Sequence, residues 1–339
     1  MAVRIITGHV LERLAGLPAE SVHCVVTSPP YYGLRDYGIE PQVWGGAAGC
    51  EHEWVTERIP ARHSDDGIGG KSTQAQSQRL PTERGFCRRC GAWRGSLGLE
   101  PTLALYLDHM VEVMRAVRRV LRADGTCWLN VGDSYSNDGK WGGSSGGKHV
   151  PALHGKTGVG RMKQTTGLKP KDLMLVPARL AIRLQDDGWW VRSDIAWCKR
   201  APMPESCTDR PTSAWEHVFL LTKSARYFYD AEAEKEECEP AEGGRARAAL
   251  RGESPYAGAD YKDYHEGRTG RHQSYQPPYR NLRNFWLLGP EPFPEAHFAT
   301  FPTEIPRRAI LAGTSAKGCC PKCAAGWVRV VKKRTSLSG

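Results

Sequence analysis

The 339-residue chain has no uninterrupted apolar stretch near the roughly 20 residues that a membrane-spanning helix requires. Its first residues, Met1-Ala2-Val3-Arg4-Ile5-Ile6, are too short and too mixed for a signal peptide. No internal repeat is visible, which excludes solenoids and propellers. Nor is the chain polar enough for disorder, since 40% of its residues are hydrophobic and 25% charged. These absences leave a cytoplasmic globular protein whose length suggests about two domains. Acidic side chains are in deficit: Lys plus Arg number 47 against 37 for Asp plus Glu, and the net +10 favours a polyanionic partner without requiring one.

Eleven cysteines could staple a secreted domain, but here they are partly grouped at spacings typical of metal ligands. Cys24, Cys127, Cys198, Cys207 and Cys238 stand alone and read as small buried thiols. The first group is Cys50-x-His52 with Cys87-x-x-Cys90-Gly91. Two thiolates two residues apart form a chelating turn, and the other pair supplies the remaining tetrahedral positions of a structural zinc. His63 is an alternative fourth ligand. The second group, Cys319-Cys320-Pro321-Lys322-Cys323, looks like half a zinc ribbon that needs borrowed ligands to close.

Along the chain, strand and helix signals alternate. Val3 to Thr7 is a β-branched run, Val10 to Leu17 a short amphipathic segment, and Val22 to Thr27 a second apolar run stopped by Pro29-Pro30. From Cys50 to Gly98 the pattern dissolves, with a low-complexity stretch from Ser64 to Gln78. Pro101 then opens a helix whose apolar residues recur from Leu103 to Val120 before Asp124-Gly125, and Thr126 to Val131 reads as a strand. Leu173 to Leu184 reads as a helix, Trp189 to Trp197 and Glu216 to Thr222 as strands, and Ile305 to Leu311 as a helix. Strands alternating with helices imply an α/β protein with a mostly parallel sheet covered on both faces.

These signals divide the chain into 1–48, carrying the Pro-Pro loop; 49–98, a zinc-knuckle insertion; and 99–230, the main domain continued, with a basic loop over 137–167. There follow 231–280, a basic insertion; 281–315; and 316–339, a Cys-rich tail. In both basic segments Arg and Lys are interleaved with aromatic residues, including Trp141, Tyr256, Tyr261 and Tyr275. That mixture suits phosphate contact with base stacking, and equally suits a merely solvated face.

The string Thr27-Ser28-Pro29-Pro30-Tyr31 directly follows a buried strand, at the sheet edge where open α/β folds bind ligands. Two prolines fix the backbone and remove donors, so the loop is an acceptor-rich clamp for an amino group, with a hydroxyl before it and a ring after. It also reads simply as a strand-terminating turn with a surface tyrosine.

Thr27 to Tyr31 resembles the catalytic motif of amino-group DNA methyltransferases, in which Asp, Asn or Ser precedes Pro-Pro and an aromatic residue. The resemblance extends through Ile6-Thr7-Gly8, Ser21-Val22-His23-Cys24-Val25-Val26, Tyr32-Gly33-Leu34-Arg35-Asp36-Tyr37 and Leu129-Asn130-Val131-Gly132-Asp133-Ser134. It continues through Asp194-Ile195-Ala196-Trp197-Cys198-Lys199, Pro204-Glu205-Ser206 and His297-Phe298-Ala299-Thr300-Phe301-Pro302-Thr303. The order resembles the permuted arrangement, catalytic half first, and implies a Rossmann-like fold.

It further implies catalysis by Ser28, Pro29, Pro30 and Tyr31, with S-adenosylmethionine held by Thr7, Gly8, His297, Phe301, Pro302 and Thr303. The amino protons would go to the Ser28 hydroxyl and the Pro29 carbonyl. Tyr31 would stack on a base extruded from double-stranded DNA. Cytosine C5 methyltransferases need a nucleophilic cysteine after proline, and no Pro-Cys dipeptide occurs. Ser rather than Asp at the first clamp position leans toward cytosine N4, with adenine N6 the alternative. A restriction endonuclease is the partner such enzymes commonly have.

One expected feature is missing. The family carries an Asp-Pro-Phe-x-Gly-x-Gly loop after a strand, and no such loop is found before Gly339. Either the chain is a fragment, or its sheet is completed elsewhere, or cofactor affinity is lost and the protein binds DNA without turnover. His9 stands where many relatives have Asp; it reads as a solvated helix-cap histidine or as a ligand-facing residue.

Overall fold

The structure, a computed structural model, describes residues 3–34, 39–59, 82–136, 167–202, 204–205, 207–237, 279–291 and 300–330. In chain order the elements are α1 (Val10–Ala15), β1 (Val22–Thr27), β2 (Gln42–Trp44), β3 (Trp54–Ile59), β4 (Thr82–Cys87), β5 (Trp93–Gly95), α2 (Leu103–Val120) and β6 (Leu121–Val131). They continue with α3 (Val176–Asp186), β7 (Trp190–Lys199), β8 (Trp215–Thr222), β9 (Lys235–Glu237), β10 (Tyr279–Asn281), β11 (Phe285–Leu288) and α4 (Glu304–Gly313). The chain divides into two units, 1–228 with 285–309 and 229–284 with 310–339.

In the first unit, five strands form a sheet in the order β1-β6-β8-β7-β11. β1 runs parallel to β6, and β11 parallel to β7, while β8 lies antiparallel between β6 and β7. Four strands therefore share one direction and β8 opposes them. Alternation along β6 sorts its side chains: Cys127, Leu129 and Val131 join the core built with α2 and α3, while the Trp128 ring stacks on Trp286 of β11. The helix periodicity of Tyr106, Leu107, Met110, Met114 and Val117 supplies the opposing surface of that core. α4 covers the other face, where the Arg308 guanidinium lies 5.2 Å above Trp286 and Cys24 of β1 donates to the Ala309 carbonyl. Helices on both faces make this the expected α/β layering.

A second sheet, antiparallel and in the order β2-β5-β4-β3, forms where no pattern was legible. Its strands are held mainly by backbone pairing, and Val55 and Phe86 stay exposed, so they leave no apolar periodicity. Because β2 pairs with β5, this module starts at Gln42 rather than at residue 49. Trp44 and Trp93 fasten it to the main domain against Val113 of α2.

Three other expectations change. Val3 to Thr7 forms no strand; Val3 and Ile5 are 90% and 85% exposed, and no described strand pairs with the outer edge of β1. α2 starts at Leu103 because the Thr102 hydroxyl caps it by accepting from Leu105 N–H, leaving Pro101 outside. β11 was not anticipated, since four residues between Gly- and Pro-containing segments carry no usable period. The Ser64–Gln78 stretch and nearly all of the 137–167 loop lie outside the described residues.

In the second unit, β9 and β10 form an antiparallel pair across the ends of the 231–280 segment, braced by Glu236 against Arg280 and Arg283. The tail makes a tight turn in which Cys319 bridges to Gly326, Cys320 N–H donates to the Ala325 carbonyl, and Ala324 N–H donates to the Cys320 carbonyl. No described helix is long and apolar enough to cross a membrane.

Candidate active site

Ser28 follows the last residue of β1, so the clamp begins where a buried strand leaves the sheet. The loop is fixed from below. Tyr106 of α2 donates to the Pro30 carbonyl at 3.0 Å, Gly33 N–H to the Gly98 carbonyl at 2.8 Å, and Leu34 N–H to the Tyr31 carbonyl at 3.3 Å. No described group donates to the Pro29 carbonyl, and the one hydrogen bond of the Ser28 hydroxyl is a long donation, 3.4 Å, to Tyr31 Oη. Among the described residues, two oxygens of a rigid loop are thus left without a donor. An amino group, with two N–H donors, suits such a pair of acceptors.

Tyr31 is turned inward. Its hydroxyl donates to Glu216 Oε2 at 2.6 Å, with Asn130 Oδ1 at 3.0 Å. Asn130 in turn donates to Glu216 and to the His217 carbonyl, and Lys199 Nζ reaches Glu216 Oε1 at 2.5 Å. Burial, then the Glu216 charge and its hydrogen bond, raise the Tyr31 phenol far above its ordinary pKa and hold it protonated. The ring also touches Gly132, where an added Cβ would stand 2.4 Å from Tyr31 Cε2. Gly132→Ala is therefore expected to push the ring off its seat and cut turnover about tenfold, measured by methyl transfer alongside a thermal melt.

The joint signal of β1, the clamp and the β6 segment can be set against known proteins. The family described as DNA methylase, which covers N6 and N4 methyltransferases, matches residues 22–320. The chain belongs to that family. It is 36% identical over 307 residues to the Type II methyltransferase M.Cfr9I of Citrobacter freundii, covering 91% of this chain and 71% of that one. With the Type II methyltransferase M.SmaI of Serratia marcescens it shares 33% identity over 315 residues, covering 93% of this chain and 76% of that one. A solved PvuII cytosine-N4-specific DNA methyltransferase is similar at 15% identity and a TM-score of 0.43, over 91% of this chain and 69% of that one. The expectation of a DNA amino-methyltransferase, whose family draws its methyl group from S-adenosylmethionine, is met.

The described cofactor-side residues of this DNA methylase lie on two segments of the chain, before α1 and at the start of α4. Thr7 and Gly8 lie in exposed chain before α1, and Gly8 has φ +137°. Pro302 is buried, and its carbonyl accepts from Ile305 N–H at the start of α4. Thr303 gives both its N–H and its hydroxyl to Glu291, and Phe301 is half-buried. Among the described residues no hydrogen bond joins Thr7 or Gly8 to Phe301, Pro302 or Thr303. His297 lies outside the described residues. His9 stands at the N-cap position of α1 but makes no side-chain cap bond; it is half-buried, and its ring packs edge-on against Trp44. Burial lowers its pKa, and Nε2 has no partner among the described residues.

The four candidate metal ligands do come together. Cys50, His52, Cys87 and Cys90 place one ligand atom each within 4.8 Å of all the others. Burial raises the Cys87 thiol pKa, but bonds from His52 and from backbone N–H groups outweigh it and bring the thiol down to about 6. Ser206 and His63 lie outside the described residues; Arg210 is held by Glu205 at 2.7 Å and covers the Tyr135 ring at 3.9 Å.

Lys199 was quoted within a motif and Glu216 at the head of a strand, but neither was given a role in the sequence reading. The available signal was a carboxylate at the head of the apolar run Val218-Phe219-Leu220-Leu221 and a lysine at the end of β7, each of which needs a partner when half-buried. Asp133 was quoted within a motif but given no role. Its carboxylate accepts from Ser134 and Val176 N–H and so fixes the start of α3, while burial raises its pKa.

Proposed function

We propose that this chain methylates the exocyclic amino group of cytosine at N4 in double-stranded DNA, as the modification partner of a type II restriction endonuclease. The observation that carries the reading is the pair of open acceptors, Ser28 Oγ and the Pro29 carbonyl, on a loop whose neighbouring Pro30 and Tyr31 carbonyls are already engaged.

An exocyclic amino nitrogen is a poor nucleophile because its lone pair is delocalised into the ring. Hydrogen bonds from its two N–H groups to Ser28 Oγ and the Pro29 carbonyl would concentrate that pair on nitrogen, and the rigid loop holds it in line for attack. As the N–C bond forms, the S–CH3 bond of the methyl sulfonium would break to leave the thioether, and one amino proton would pass to solvent; nitrogen attacks the methyl directly, so no covalent enzyme intermediate is required. Tyr31, anchored through its hydroxyl to Glu216, offers a ring of fixed orientation to an extruded base. Ser28 rather than Asp at the first clamp position leans, within the family, toward cytosine N4; the weaker acceptance of a hydroxyl does not by itself choose the base.

When bound, S-adenosylmethionine supplies an electrophilic methyl group. Gly8 has a backbone that residues bearing a Cβ rarely adopt, the Arg13 guanidinium lies against it, and Thr7 is exposed; together they would form one side of the cofactor site. His297, Phe301, Pro302 and Thr303 would complete its holding set.

The test is incubation of the chain with tritiated S-adenosylmethionine and DNA, followed by nucleoside analysis. Label in N4-methylcytosine is expected. Label in N6-methyladenine would replace the base assignment. Duplex binding without label, or label in RNA or protein alone, would overturn the reading.

A further inference from the structure

We infer that Cys50, His52, Cys87 and Cys90 form a closed zinc(II) site that fixes the small antiparallel sheet as a buttress for the clamp loop. A zinc ion about 2.3 Å from each sulfur and about 2.0 Å from an imidazole nitrogen sets tetrahedral edges of roughly 3.8 Å between sulfurs and roughly 3.5 Å from sulfur to nitrogen. The separations found are 4.0 Å from Cys50 Sγ to Cys87 Sγ and 3.4 Å from Cys90 Sγ to His52 Nδ1. The two sulfurs are far beyond the roughly 2.05 Å of a disulfide. Four protein ligands leave no open position, so the site is structural rather than hydrolytic.

The surroundings are those of thiolate ligands. Backbone N–H groups of Cys90, Arg89 and Glu53 point to the Cys87 sulfur, and those of Ala47 and Ala92 to the Cys90 sulfur. Such donors compensate the charge of bound thiolates and orient them. Gly46, at φ +85°, lets the chain pass beside the ligands, since a Cβ there would stand 2.9 Å from Cys90 Sγ and 2.6 Å from Ala92 Cβ. The ligands come from both sides of the β3–β4 hairpin, with Cys87 ending β4. Trp44 and Trp93 anchor β2 and β5, but Val55 and Phe86 stay exposed, so the β3–β4 hairpin gains little from apolar packing at those positions.

From the metal site a continuous path of contacts leads to the clamp. Cys87 N–H donates to the Ala92 carbonyl, next to Trp93 of β5. Trp93 and Trp44 of β2 stack against the imidazole of His109, with ring centroids 5.5 and 5.2 Å away. His109 Nδ1 meets Glu100 Oε1 at 3.0 Å, and Glu100 Oε2 accepts from Gly98 N–H at 2.8 Å. The Gly98 carbonyl holds Gly33, two residues beyond Tyr31. Losing the metal frees β2 and β5, and with them the residues that seat the loop.

Metal content tests the site directly and does not depend on which base, if any, is methylated. The purified full-length chain is dialysed against metal-free buffer and analysed by plasma mass spectrometry. One zinc per chain is expected. A chain holding less than about a tenth of an equivalent, both as isolated and after zinc addition, would overturn the assignment, as would one equivalent of iron. Replacing Cys319, Cys320 and Cys323 together by serine should leave zinc at one equivalent; its loss would move the site to the tail and overturn the inference. Cobalt(II) exchange should give the visible bands of a tetrahedral thiolate–imidazole site, and His52→Cys should keep the metal while shifting those bands. Unchanged bands in His52→Cys would exclude His52 and overturn the tetrad.

Discussion

Ser28→Ala is expected to lower the turnover number for methyl transfer on the order of 10³-fold while leaving the melting temperature and duplex affinity close to those of the parent. The hydroxyl is one of the two clamp acceptors that lack a donor among the described residues, where its single hydrogen bond is a 3.4 Å donation to Tyr31. Removing a directed polar contact to the reacting group typically costs about 10²–10³ in rate, because the contact matters most as charge develops. The fold does not depend on it: β1 ends at Thr27, and the loop is held by Tyr106, Gly33 and Leu34. Single-turnover methylation, a thermal melt and duplex binding together give the answer. A variant that unfolds, or one that methylates at the parent rate, would remove Ser28 from catalysis.

The second large effect is at Glu216. Glu216→Leu deletes the carboxylate that receives the Tyr31 hydroxyl and leaves Lys199 without the partner it holds at 2.5 Å. Loss of one member of a buried ion pair can cost 3–5 kcal/mol; with Lys199 32% exposed the expected loss is about 2 kcal/mol. Turnover should fall about 10²-fold because the ring is no longer oriented, with the cofactor KM little changed. Glu216→Gln keeps an acceptor for Tyr31 and should recover most of the turnover. Equal losses in Gln and Leu would mean that charge, not position, is what the reaction uses. The same network makes Tyr31→Phe a milder substitution than Tyr31→Ala: both remove the hydroxyl that donates to Glu216 and Asn130, and only the latter also empties the seat against Gly132.

Much of the main sheet could be anticipated because burial imposes a period. β1 occupies the span read from its β-branched run, and α2, α3, β7, β8 and α4 fall within a few residues of the segments inferred. The clamp was legible for a different reason: Pro-Pro after a strand constrains the backbone locally, whatever surrounds it. The exposed Val3–Thr7 run misled because β-branched composition favours a strand only when another strand lies alongside. In the β2–β5 module the strands are short and held by backbone pairing, and Val55 and Phe86 stay exposed, so alternating hydrophobicity carried no signal.

What the residues determined unaided is the chemistry available: two acceptors on a stiff loop, a ring beside them, and thiolates at chelating spacing. What only the tertiary structure decided is the company those groups keep. Glu216 stands 185 positions from Tyr31, and they meet because β8 enters the sheet reversed between β6 and β7, bringing the head of one strand beneath the end of another. Cys50 and Cys87 likewise converge only when an antiparallel hairpin returns the chain to its start. Periodicity and turn chemistry act over a few residues, whereas the meeting of distant polar groups depends on strand order and direction, which no local pattern encodes.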